Sequence, residues 1–171
     1  TPIKSSAASD VYKRQGYKIY RRTGNSSKWV NIATVSGSNT LVYTDGSVKS
    51  GTMYTYTVRA YKGSALSAYN KNGSRIVRLT APVQYKPSSK ASGKLTVRWK
   101  KAVGASGYQI QYAASRSMRG ARTVSTSALT RTLSGLKKGS TYYVRIRAYK
   151  KVSGKTYYGA WSSVKNAKVR K

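Results

Sequence analysis

Lysine and arginine supply thirty-four of the 171 side chains, against two carboxylates, Asp10 and Asp45, for a formal charge of +32. The chemistry open to such an inventory is attraction to polyanions: nucleic acid, anionic wall polymer or acidic lipid. That attraction is screened by salt and carries little specificity. Proton transfer and metal binding are a different matter. The chain has no His, no Cys and no Glu, so acid–base pairs, hydrolase triads, carboxylate dyads and ordinary metal sites lack their parts. Lys, Tyr and Ser remain, but no motif places them together. The inventory implies a protein that is not an enzyme and uses no cofactor and no metal.

Aromatic side chains are the other candidates for binding. Trp99 keeps the apolar parity of its segment and reads as core. Trp161, beside Gly159, reads as core or rim, and Trp29 in "KWVNIATV" is the tryptophan best placed for exposure. Tyr20, Tyr61, Tyr143 and Tyr149 fall on outward positions, where they could stack on bases along a groove. Asp45 in "YTDGS" reads as a turn residue bonded to its own backbone ahead of Gly46. Gly16 and Gly107 mark strand starts rather than phosphate cradles, since no helical pattern follows either.

The elements that must hold these residues are strands. Tyr, Thr, Val and Ser dominate, and helix-forming runs are missing. No apolar run approaches the ~20 residues needed to cross a bilayer, so membrane insertion is not expected. Gly16-Tyr17-Lys18-Ile19 recurs as Gly107-Tyr108-Gln109-Ile110, and "GTMYTYTVRAYK" from 51 recurs as "GSTYYVRIRAYK" from 139. The repeat of about 90 residues suits a small independent domain. In its second copy, alternation marks strands at 94–100, 107–112 and 142–149, with weaker ones at 120–125, 128–133 and 156–169. Tyr142, Val144, Ile146 and Ala148 share one face of the third; Arg145 and Arg147 share the other. Short strands separated by turns predict an all-β antiparallel sandwich.

"LTVRWKKAVGASGYQIQY" followed by "LSGLKKGSTYYVRIRAYK" resembles a fibronectin type III domain. The matching positions are the inward Trp99, the Gly107-Tyr108 strand start, and Leu136, Gly139 and Tyr142. The resemblance implies two tandem immunoglobulin-like sandwiches and makes Tyr142, with Tyr54 in the first copy, the tyrosine corner whose hydroxyl bonds to upstream backbone. The ending "YYGAWSSVKNAKVRK" is similar to the last strand of such domains in Gram-positive surface proteins. The family topology also brings two loops to one end of the second domain. Those loops carry Lys100, Lys101, Lys150, Lys151 and Lys155, a candidate polyanion-binding cluster facing the joint with the first domain. Neither loop contains Arg-Gly-Asp.

Against that frame the first copy is short. The second spends 26 residues between Ala81 and Gly107, enough for two strands; the first has 15 before Gly16. Within them "SSAASDVYKRQ" can be encoded in one frame of an oligonucleotide that resembles the adaptor and mosaic end of transposon-based sequencing libraries. Residues 1–15 are therefore read as a non-native leader, disordered or opportunistically paired. Residues 16–79 are read as a partial domain lacking its first two strands, and 80–171 as a complete one. Tyr17, Ile19, Tyr56 and Val58 are then expected to be more exposed than Tyr108, Ile110, Val144 and Ile146, with an unprotected edge strand at 39–44. A joint near Arg78–Ala81 with almost no linker implies a stiff rod. The functional expectation is an extracellular spacer or interaction module of a larger bacterial cell-surface or secreted protein. Its partners would be anionic cell-wall polymer and the parent's other domains. Carbohydrate binding and nonspecific nucleic-acid binding are the alternatives.

Overall fold

A computed structural model describes residues 14–171; the leader expected at 1–15 falls, apart from Arg14 and Gln15, outside the described residues. Among the described residues there are twelve strands and no helix. They form two compact units. Described residues up to Val48, with Met53–Ile76, make the first; Lys49–Thr52 and Val77–Lys171 make the second.

In the second unit one sheet runs β11(Lys155–Tyr158)–β10(Thr141–Val152)–β7(Gly107–Ala113)–β8(Arg122–Thr126), and β12(Lys165–Lys168) also pairs with β10. The facing layer is β6(Leu95–Arg98) paired antiparallel with β9(Thr130–Leu133), extended by bridges from Gln84 to Trp99 and from Ser88 to Thr96. Period-two alternation places Leu95, Val97, Ile110, Val144, Ile146 and Ala148 between the layers, where all six are fully buried. Trp99 lies with them, 2% exposed, its ring edge-on to Tyr108 at 5.3 Å. The Tyr108 hydroxyl accepts a hydrogen bond from the Ala102 N–H at 2.9 Å, which satisfies the buried polar end of an otherwise apolar ring.

The segment 156–169 is two strands rather than the single one expected. β11 pairs with the far end of β10 and β12 with its beginning. Between them the chain leaves the ladder, though Gly159 N–H still donates to Ala148 O and Ser162 N–H to Ile146 O. Such a bulge re-aims side chains, and here the irregular stretch carries Trp161.

The repeated Gly-Tyr pair has a packing cause. Gly107 lies opposite Tyr149 and Gly16 opposite Tyr61, each the tyrosine of an Ala-Tyr-Lys triplet. A Cβ on Gly107 would run into the Tyr149 ring, and one on Gly16 into the Val35 carbonyl and the Tyr61 ring. Each glycine therefore leaves room for a ring lying across the strand. Gly107→Ala is expected to destabilise the second unit by about 1–3 kcal/mol through overpacking. Chemical denaturation checks this, and an unchanged midpoint would refute the packing account.

The first unit is one five-stranded sheet, β2(Val30–Ser36)–β1(Gly16–Thr23)–β3(Met53–Lys62)–β4(Ala65–Leu66), with β5(Ser74–Val77) also on β3. Gln15 extends β1: its N–H donates to Tyr61 O and its carbonyl accepts from Gly37 N–H. Burial is inverted relative to the second unit. Val58, at the repeat position of Ile146, is 48% exposed, while Thr55 and Thr57 on the opposite parity are 1% and 6% exposed. The segment before β5 covers that face. Thr57 Oγ1 donates to Asn70 O, and Gly73, at φ +65°, comes so close that a Cβ would meet Tyr56 O, Thr55 and Trp29 within 2.8 Å. Tyr17 and Tyr56 are half-buried, whereas Tyr108 and Val144 are buried. Ile19 departs little from its counterpart, at 7% against 0% for Ile110. No strand forms at 39–44, so the expected edge strand is corrected to an irregular segment, with Leu41 and Val42 about four-fifths exposed. Among the described residues the first unit supplies no partner strand for it, whereas β9 has β6.

Candidate polyanion interface

The loop 100–106 and the hairpin β10–β11 meet at one end of the second unit. Ser106 N–H donates to Tyr149 O, and Lys151 N–H donates to Ser106 Oγ at 3.2 Å. Lys100, Lys101, Lys151 and Lys155 are exposed there and Lys150 is half-buried. Two of the five ammonium groups are already engaged. Lys150 Nζ donates to the Gly51 carbonyl at 2.7 Å, and Lys155 Nζ lies 5.4 Å from the centre of the Tyr157 ring. The shared end is present, but Lys150 serves the packing of its own unit.

A more ordered cationic array lies on the outer face of the same sheet. Arg145 and Arg147, two residues apart on β10, stand directly across from Gln111 and Gln109 on β7. Arg145 Nε donates to Gln111 Oε1 and Arg147 Nε to Gln109 Oε1, both at 2.8 Å. Trp161 is shared by the two guanidiniums, at 4.7 Å from Arg145 and 4.4 Å from Arg147; Tyr158 lies 4.0 Å from Arg147. Five cross-strand and stacking contacts thus fix two long side chains that would otherwise sample many rotamers. Strand parity placed Arg145 and Arg147 outward. It could not show that the 159–164 bulge would carry Trp161 between them, so the array escaped the sequence reading. The first unit has a sparser version, with Arg59 5.1 Å from Tyr69 and Arg22 4.7 Å from Trp29. Trp29 is accordingly half-buried, not freely exposed.

Tyr142 Oη accepts a hydrogen bond from the Lys137 N–H at 3.3 Å, and its ring lies 6.5 Å from that of Tyr112. In the first unit Tyr54 is 3% exposed, with the Arg21 guanidinium 4.9 Å from its ring. Arg21 holds the repeat position of Tyr112, and a charge at that point requires a partner.

Asp45 supplies it. Its Oδ1 accepts from Ser47 N–H and Ser47 Oγ, the turn expected of it, but Oδ2 accepts from Arg21 at 2.7 Å and from Tyr56 Oη at 2.8 Å. The Arg21 and Asp45 side chains are 19% and 9% exposed. Burial alone would push the Asp45 carboxyl up; hydrogen bonds from Ser47 Oγ, Tyr56, Ser47 N–H and Arg21 outweigh it and hold the carboxyl well below the ordinary range. Burial and the bond to this carboxylate push the Tyr56 phenol up to about 12. Burial opposes the Arg21 charge, yet the bond and attraction to Asp45 raise its pKa further. Asp45 is therefore a structural ion-pair residue as well as a turn former.

Among the described residues there is no group of three or more His, Cys, Asp or Glu side chains that could hold a metal ion, and no helix is long and apolar enough to cross a membrane. The fibronectin type III domain family matches residues 80–164, which recognises one such domain in the downstream part of the chain. Among curated proteins none matches the chain. Similar solved structures include the FN1–FN3 domains of chicken CNTN1, at 22% identity and a TM-score of 0.47, covering 91% of this chain and 56% of that one. Another is a protein titled FN3tt mut, at 18% identity and a TM-score of 0.43, covering 53% of this chain and 94% of that one. This chain thus spans little more than half the length of the CNTN1 fragment.

Proposed function

We propose, taking residues 80–164 as a fibronectin type III domain, that the chain is a non-catalytic spacer and interaction module of a larger bacterial cell-surface or secreted protein, held near anionic cell-wall polymer by its basic surface. One observation carries this reading: the chain has a formal charge of +32 and no acidic side chain anywhere from 46 to 171. A domain so unbalanced gains solubility from self-repulsion and gains counterions from any polyanion it meets. The family supplies a scaffold that displays surfaces, and its function rests on what that surface binds. The lysine end at Lys100, Lys101, Lys151 and Lys155 would add diffuse attraction.

Binding to purified wall teichoic acid, DNA and a neutral glycan across a salt series tests the reading. Teichoic acid should bind at low salt, with log affinity falling linearly against log salt by roughly 0.7 per phosphate contacted, as for single strands. The glycan should not bind. Salt-independent binding to the glycan, or no binding to teichoic acid at any salt, would sink the proposal.

A further inference from the structure

We propose that Arg145 and Arg147, clamped by Gln109, Gln111, Trp161 and Tyr158, form a phosphodiester-binding site on the outer face of the second unit. The site deepens the proposed function and rests on it for its natural ligand.

Guanidinium is planar, and its terminal nitrogens fork toward a phosphate in the plane of the group. In both arginines Nε is spent on a glutamine oxygen, which fixes that plane, while Trp161 lies against both guanidiniums and Tyr158 against that of Arg147. The in-plane Nη1 and Nη2 groups have no hydrogen-bond partner among the described residues. Arginine has no acceptor, so each glutamine must present Oε1 to it and turn its amide Nε2 away as a further donor. Both arginines are half-buried, which lowers the screening that weakens fully exposed charges. No acidic side chain in the unit neutralises them. The result is two donor sets of fixed orientation, with Cα atoms about 7 Å apart along one strand, the scale on which charge repeats in an extended phosphodiester chain.

The same stacking decides what the site does not read. Single-strand nucleic-acid sites and sugar sites offer free aromatic faces; here the Trp161 ring already holds two guanidiniums, and the Tyr158 ring, 47% exposed, holds one. The site recognises the phosphate and leaves the rest of the repeat unread, which suits a polyol phosphate polymer lacking bases.

The test compares wild type with R145K/R147K, which keeps every charge but loses the planar forks, and with K100Q/K101Q, which loses two charges at the lysine end. The probe is poly(glycerol phosphate), with single-stranded DNA of equal phosphate count as a second arm. R145K/R147K should bind the polymer at least tenfold more weakly with most of its salt slope kept. K100Q/K101Q should show a shallower salt slope and a smaller loss of affinity. Equal binding by wild type and R145K/R147K would overturn the site while leaving the proposed function standing. Failure of wild type to bind the polymer would remove the proposed function instead. In that case, and if the variant fails to fold, titration of isotope-labelled wild type with inorganic pyrophosphate decides the site. The Arg145 and Arg147 Nε–H resonances should move together with that of Trp161 Nε1–H; movement confined to lysine-end residues would overturn it. Equal affinity for DNA supports phosphate reading, whereas markedly tighter DNA binding would mean that bases are being read and the site is wrong.

Discussion

Ile146→Ala should lower the stability of the second unit by about 3 kcal/mol, while Val58→Ala at the same repeat position should cost less than about 1 kcal/mol. The two residues hold equivalent places on repeated strands, β10 and β3, in "VRIRAYK" and "YTVRAYK". They differ in what lies above them. Ile146 is fully buried, paired across the sheet with Ile110 and covered by the layer that carries Leu95 and Val97. Its truncation removes apolar transfer free energy and leaves a cavity that a packed two-layer core cannot close. Val58 pairs with Ile19 but is 48% exposed, so about half of it already faces water and its loss opens no enclosed cavity. Denaturant unfolding, followed by amide exchange in β10 and in β3 to assign each effect to its unit, measures both. Comparable losses at the two sites would show that Val58 has a covering layer in solution.

That contrast also shows what strand periodicity conveys. Alternation in 142–149 identified the faces of β10 correctly, because both layers of that core are encoded in the same contiguous stretch. The identical pattern in β3 does not report burial: parity says which residues share a face, and only a second layer decides which face is dry. In the first unit the segment before β5, with Asn70 and Gly73, covers the threonine face instead. Gly16 and Gly107 were legible as strand starts, but their reason, a tyrosine ring lying across from each, depends on register. The arginine array was the least legible feature. It requires a bulge at 159–164, and nothing in "YYGAWSSV" states that Trp161 will meet two residues of β10. Asp45 was half legible, since its turn bonds are local and its bonds to Arg21 and Tyr56 span 24 and 11 residues.

Those long-range bonds make the first unit sensitive to pH at both ends. Asp45 has a folded pKa below its unfolded value near 4. Its contribution is therefore complete above about pH 4 and is lost as pH falls below it, because the unfolded chain takes up the proton first. Tyr56 has a folded pKa raised from 10 to about 12. The folded state keeps that proton while the unfolded chain releases it, so stability falls as pH rises from about 10 to 12. Asp45→Asn should cost the first unit about 2 kcal/mol at neutral pH, since it leaves Arg21 with a partly buried charge and no ion partner. It should also flatten the acid limb. Tyr56→Phe should flatten the alkaline limb and cost about 1 kcal/mol, the loss being limited because the ring is only half-buried. Amide exchange in β1 and β3 as a function of pH assigns these changes to the first unit, and the second unit has no acidic side chain to add to the acid limb. If Asp45→Asn left the acid limb unchanged, the carboxylate would not be holding Arg21 over the Tyr54 ring, and the first unit would owe its sheet to some other contact.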